Sequence, residues 1–261
     1  MEIKKASGKQ ILDWRDWTRP KRTFQWAPGR SAMELARAWF TSPAPTVPHE
    51  FSALLESHPL TRNMTITEGM PEFVTGLPER GEGRNHDLLL RGRTDQPVTL
   101  CVEAKADEPF GELVSEVWTA NTDASGQPTG RSRRAQRLQA LIALLFGSEA
   151  DPARSPWSEM RYQLLTAAAG TVIQAARDGA SVGVMVVHEF LTSHVDRAEK
   201  VARNAADYAL FVSQIALVPR EQVRAGKLYG PVDIPRGQYL PHEVQLLIGK
   251  IVFDWNAAGG G

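Results

Sequence analysis

The most valine-rich apolar stretch in the chain is Ser181 to Phe190, where Val182, Val184, Met185, Val186 and Val187 crowd together without polar alternation. A β-branched run of that length predicts a central strand covered on both faces. Just before it, Tyr162, Leu165, Ala168, Val172, Ile173 and Ala176 recur at helical spacing, predicting a helix over 160–177 that Gly179 ends. A third pattern alternates: Val98, Leu100 and Val102 fall on one face of a strand, and Thr99, Cys101, Glu103 and Lys105 on the other. The apolar run that starts at Asp87 precedes it across Gly92, Asp95 and Pro97, so the two read as a hairpin.

The remaining elements follow in order. Ser31-Ala-Met-Glu34 has the letters of a capping box, with Ser31 as N-cap, Glu34 as N3 and an apolar stripe of Leu35, Ala38 and Trp39. Pro43, Pro45 and Pro48 end that helix, and a short one follows over 48–57. Residues 65–73 have strand character broken by Gly69 and Pro71, and 76–84 is a loop. Helices are expected over 111–118, from Arg131 onward with Leu138, Leu141, Ile142 and Leu145 inward, and over 196–212 capped by Asp196. Residues 121–130 form a polar loop, and 214–218, 227–234 and 244–253 are short strands or turns. The sum is an α/β chain: an N-terminal arm (1–30), one domain (31–256) with an insertion at 106–158, and a flexible tail (257–261).

Composition narrows the function. Thirty basic residues balance thirty acidic ones among 261, so any contact with a polyanion rests on local patches. Two such patches exist. Arg131, Arg133, Arg134 and Arg137 crowd a helix start, where they either grip a phosphate backbone or form a solvated helix end; the dipole there disfavours cations, which makes a purely stabilising role less attractive. Trp14, Trp17, Phe24 and Trp26 alternate with Arg15, Arg19, Lys21, Arg22 and Arg30 in the arm, which either docks its aromatics on the core or stacks bases on them; docking is the commoner outcome. Cys101 alone excludes an intramolecular disulfide. With no leader-like stretch and no apolar run near twenty residues, the expectation is a cytoplasmic protein without a membrane partner.

Chemistry gathers at one place. Glu103 and Lys105 share a strand face, and Asp87 on the neighbouring strand reaches the same rim. Buried charge is costly unless paired or metal-bound. Two carboxylates suit a hard divalent cation, and the lysine a phosphate or water. The plainer alternative is an ion pair at a strand end. His86 is expected to be a hydrogen-bonded structural histidine, and Glu34 a cap, though it could also lean on the metal. Asp107 and Glu108 stand close enough in sequence to support a second ion.

The order helix, three strands, helix, strand, with Asp87 on the second strand and Glu103-Ala104-Lys105 on the third, resembles the PD-(D/E)XK nuclease superfamily, the restriction-endonuclease-like fold. His86 stands where the superfamily name has proline. The wording Glu103-Ala-Lys-Ala-Asp-Glu-Pro-Phe-Gly111, Arg161-Tyr-Gln-Leu-Leu165, Val184-Met-Val-Val-His188 and Trp26-Ala-Pro-Gly-Arg-Ser-Ala32, with Leu35-Ala36, is similar to an uncharacterised bacterial domain family assigned to that superfamily. The resemblance spans roughly residues 26–190 and implies a restriction-endonuclease-like core in a mixed sheet flanked by helices, with a helical insertion and C-terminal additions. It implies a metal-dependent nuclease, with DNA as the first expected substrate, or else a catalytically inactive nuclease-like module that binds nucleic acid or protein. Asp87, Glu103 and the Ala104 carbonyl would hold Mg²⁺ or Mn²⁺. Lys105 would orient or deprotonate water, and Gln163 would sit near the lysine. Arg161, with Arg131, Arg133 and Arg134, would bind phosphates. The 106–158 insertion is a candidate for reading substrate or for joining two copies of the chain in a homodimer.

Overall fold

The computed structural model describes residues 1–42, 44–106, 108–130, 133–192 and 198–255. Seven strands form one mixed sheet in the order β1-β2-β3-β4-β5-β7-β6. They are β1 (Glu2–Ile3), β2 (Thr65–Thr75), β3 (Arg84–Arg93), β4 (Pro97–Lys105), β5 (Val182–Leu191), β6 (Leu228–Ile234) and β7 (Val244–Asp254). The helices are α1 (Ser31–Ala38), α2 (His49–Glu56), α3 (Val114–Thr119), α4 (Arg134–Phe146), α5 (Tyr162–Arg177) and α6 (Ala198–Ile215). β2, β3 and β4 form an antiparallel meander; β4, β5 and β7 run parallel; β6 returns antiparallel to β7. Parallel neighbours cannot be joined by a tight turn. Here α3, α4 and α5 carry the chain from β4 to β5, and α6 from β5 to β7.

The sheet is covered on both sides, as the unbroken apolar run of β5 predicts. Val182, Val184, Val186 and Phe190 pack with α1, α2 and the N-terminal arm. Met185 and Val187 pack with α3 to α6 on the other side. Two places depend on the absence of a side chain. A Cβ on Gly249 would lie 2.8 Å from Leu54 of α2 and from Leu228, so glycine lets α2 seat on β7. A Cβ on Gly170 of α5 would lie 3.0 Å from both Arg84 and His86, so this glycine admits β3 side chains beneath the helix.

Several sequence expectations are amended. β2 is one strand of eleven residues, continuous through Gly69 and Pro71, because pairing with β3 holds it with only one register shift, between Ile66 and Glu68. β3 begins at Arg84, shortening the preceding loop. Ser31 is not an N-cap: Arg30 takes the cap position without a side-chain cap bond, and the Ser31 hydroxyl donates to Glu108 Oε1 at 3.2 Å. Glu34 does act on the helix entry, accepting the Gly29 N–H at 2.6 Å and pairing with Arg37 at 3.3 Å. α6 continues through Ile215, so 214–218 holds a helix end rather than a strand. β6 and β7 are true strands. In the arm, β1 pairs in parallel with β2, and Trp17 is buried edge-on to Phe40 at 6.2 Å, so docking holds for that tryptophan. The Asp196 cap and the tail 257–261 lie outside the described residues. Among the described residues, no helix is long and apolar enough to cross a membrane.

Candidate active site

The β3–β4 ladder ends at the Leu88–Val102 pair, and the next positions along are Asp87 and Glu103. With the ladder finished, the Ala104 N–H is taken by Asp87 Oδ2 at 2.7 Å. On the other side of β3, Glu72 falls between the pairs Pro71–Leu88 and Phe73–His86, which sets it opposite Asp87. Three carboxylates on three adjacent strands therefore line one cleft of about 300 Å³, with Arg84, Asn85 and Gln163. Glu72 adopts φ +54, a left-handed conformation costing an L-residue about 1–2 kcal/mol. Asn85 Nδ2 holds its carboxylate at 2.6 Å.

Glu103 is buried and doubly engaged. Its Oε1 lies 2.8 Å from Lys105 Nζ, and its Oε2 pairs with Arg84 Nη2. Burial drives the Lys105 amine down to about 8, with Arg84 pushing the same way, against the favourable fields of Asp87 and Glu108. Burial likewise raises the Asp87 carboxyl, only partly offset by Lys105, the Ala104 N–H and Arg84. Glu72 is raised to about 7 by burial and then by the Asp87 charge. Burial is the first cause for both carboxyls, so a cation bound between them would favour their charged forms. His86 is buried against Thr75 Oγ1 at 3.2 Å, which gives it the structural role the sequence suggested.

In kind, the donors fit a hard divalent cation: carboxylate oxygens of Glu72, Asp87 and Glu103. Among the described residues, however, no three His, Cys, Asp or Glu side chains converge tightly enough to enclose an ion. Arg84 supplies the positive charge at Glu103. Glu108 stands nearby, accepting the Ala106 N–H at 3.0 Å, whereas Asp107 lies outside the described residues. Glu34 is bound to Gly29 and Arg37.

The neighbouring helices deliver the other predicted residues unequally. Gln163, in the first turn of α5, lines the cleft. It also lines a groove of about 590 Å³ that shares Glu82, Arg84 and Asn85 with the cleft and is walled by Arg80, Arg133 and Arg134. Arg161 is used elsewhere: its Nε donates to Asp207 at 2.8 Å and its Nη1 to the Gly111 carbonyl at 3.0 Å, and it lines neither cavity. Arg131 lies outside the described residues. Arg137 is a structural arginine, buried and donating to the carbonyls of Pro78, Glu79 and Glu82, which fixes the loop before β3.

A family model described as a domain of unknown function, DUF6946, matches residues 8–254. The chain belongs to that family. Neither a curated protein nor a solved structure matches it.

Reading the sequence missed four contributors. Arg84 falls at the end of the predicted 76–84 loop, three residues before Asp87 on β3, and Glu72 in a stretch that Gly69 and Pro71 break in the sequence pattern but pairing with β3 carries back opposite Asp87. Glu189, opposite Lys105 in the parallel register, is fully buried against Lys250 at 2.7 Å. Lys250 comes from a strand whose pattern was ambiguous. That buried pair, with Asn204 donating to the Glu108 carbonyl at 3.0 Å, ties α6 and β7 to the back of the site.

Proposed function

We propose that this protein is a metal-dependent phosphodiesterase acting on nucleic acid. One observation carries the reading: Asp87, Glu103, Lys105 and Gln163, contributed by β3, β4 and α5, line or back a single cleft that opens into a groove walled by arginines. Glu72, Asp87 and Glu103 would hold Mg²⁺ or Mn²⁺. The bound ion would supply charge against the developing phosphorane and lower the pKa of water. Lys105, whose amine loses its proton near pH 8, can accept the proton of an attacking water at Nζ. Its pairing with Glu103 fixes where that nitrogen sits. Gln163 can orient the water or a phosphate oxygen. Arg133 can hold a flanking phosphate, Arg134 can do so only by leaving Glu112, 2.6 Å away, and Arg84 must exchange its Glu103 partner for the substrate or give way to the ion.

The test is cleavage of labelled single- and double-stranded DNA and RNA in Mg²⁺ or Mn²⁺ by the parent and by Asp87→Asn, Glu103→Gln and Lys105→Met. The reading expects parent activity, abolished by EDTA and reduced at least about a hundredfold in each variant, with unchanged circular dichroism. The Arg84–Glu103 pair favours a second reading, a nuclease-like module whose site is closed by its own arginine. Lack of turnover by the parent on every substrate, with intact folding, would select it.

A further inference from the structure

We infer that the cleft takes one extended single strand of nucleic acid, gripped on one side by the N-terminal arm and on the other by the α4 entrance. The inference rests on the nucleic-acid reading above and adds the class of strand. It starts from the arm. Lys21, Arg22 and Gln25 line the same 300 Å³ cleft as Asp87 and Glu103, so a segment far from β3 and β4 in sequence forms a wall of the site. Phe24, lying between Arg22 and Gln25, is 63 % exposed, an aromatic face left in solvent beside two cleft-lining residues. In the same arm, Trp14 and Trp26 sit 6.4 Å apart, with Arg15 over the first ring and Arg19 over the second, which stiffens it. The opposite wall continues into the groove of Arg80 and Arg133, both exposed.

Basic residues following a strand's backbone, interleaved with an exposed aromatic, are what an unpaired strand requires, because its bases are free to stack. A duplex hides those faces and presents a wide, rigid cylinder to a cleft closed on two sides. The mouth is bridged by Lys21 and Glu82 at 3.2 Å, both more than four-fifths exposed. Such a surface pair contributes little, so a phosphate can replace Glu82 on Lys21 and let the arm close over the strand.

The test is fluorescence anisotropy of the full chain in EDTA, so that binding is read without turnover. The probes are labelled dT20, rU20 and a 20-base-pair DNA duplex. Expected are binding of dT20 or rU20 at least about tenfold tighter than duplex, and a weakening of about five- to 150-fold in Phe24→Ala. Arg22→Glu and Arg133→Glu should each weaken binding and flatten the salt dependence by about 0.7 for every phosphate no longer neutralised. Phe24 and both arginines are exposed, so these variants should keep the parent melting temperature. Equal or tighter duplex binding, no effect of Phe24→Ala, an effect on only one wall, or equal competition by polyglutamate would each overturn the inference. The preference between dT20 and rU20 identifies the sugar. Strand binding in EDTA without cleavage in Mn²⁺ would remove the catalytic reading and leave this one standing; cleavage of duplex alone would do the reverse.

Discussion

Lys105 offers the most direct quantitative test, because its environment fixes both a sign and a size. Its amine falls from 10.5 to about 8 in the folded protein, first through burial. Between those values the unfolded chain binds more protons than the native one, so this residue makes stability rise with pH across the window from 8 to 10.5. Below pH 8 its full cost is present in the native state. At 1.36 kcal/mol per pH unit of difference, the gain from pH 7 to pH 10 is roughly 2–3 kcal/mol. Other lysines and tyrosines titrate nearby, so the quantity to measure is the difference between the parent and Lys105→Met in urea unfolding at half-unit pH steps. The variant also leaves Glu103 with Arg84 as its remaining cation, which adds a pH-independent offset. The parent should gain on Lys105→Met by roughly 2–3 kcal/mol on going from pH 7 to pH 10. A flat difference, or a gain in the other direction, would show that the amine is not desolvated as its burial implies.

Other outcomes follow from neighbouring groups. Glu72 titrates near 7 when folded and near its ordinary 4.5 when unfolded, so it makes stability fall as pH rises from 4.5 to 7; Glu72→Gln should gain on the parent across that window in thermal melts. Gly170→Ala gains helix propensity of about 1 kcal/mol but pushes a methyl against Arg84 and His86, so a net loss of about 1 kcal/mol is expected in urea unfolding. A stabilised single variant would refute the close packing. Lys250→Met strands Glu189 and should cost about 3–5 kcal/mol in urea, most of it recovered by Glu189→Leu in the same chain. Arg137→Leu should cost roughly 1.5–3 kcal/mol and speed amide exchange in the 76–84 loop, whose carbonyls it holds.

The parts of the fold visible in the sequence were those written in a single strong period. The valine run of β5 and the apolar stripe of α5 announce a buried strand and its covering helix, and the alternation of β4 puts Glu103 and Lys105 on one face. Register is a different kind of information. Nothing local to Pro71-Glu72 says that it returns opposite Asp87, since only pairing with β3 decides it and a left-handed Glu72 is not a pattern letters reveal. Arg161 and Arg137 illustrate the converse. Arg161 reads as a phosphate ligand and Arg137 as one member of a basic cluster, yet Asp207 and three loop carbonyls, far away in sequence, claim them. Buried arginine is satisfied by whatever acceptors the fold brings near, and those lie outside any local window.

The pairing of Glu2–Ile3 with β2 also bears on how the protein would fail. The arm that walls the cleft also covers one margin of the sheet, and Arg15, 70 % exposed on its side chain, lies between the two functions. A trypsin-like cut there would detach residues 1–15, β1 among them, while Lys21 and Arg22 stayed joined to α1. The bared β2 would then offer unpaired backbone groups to another molecule, the usual start of edge-to-edge association. The protein could therefore keep its cleft and still begin to associate, its resistance set by how firmly Glu2 and Ile3 stay zipped to the sheet.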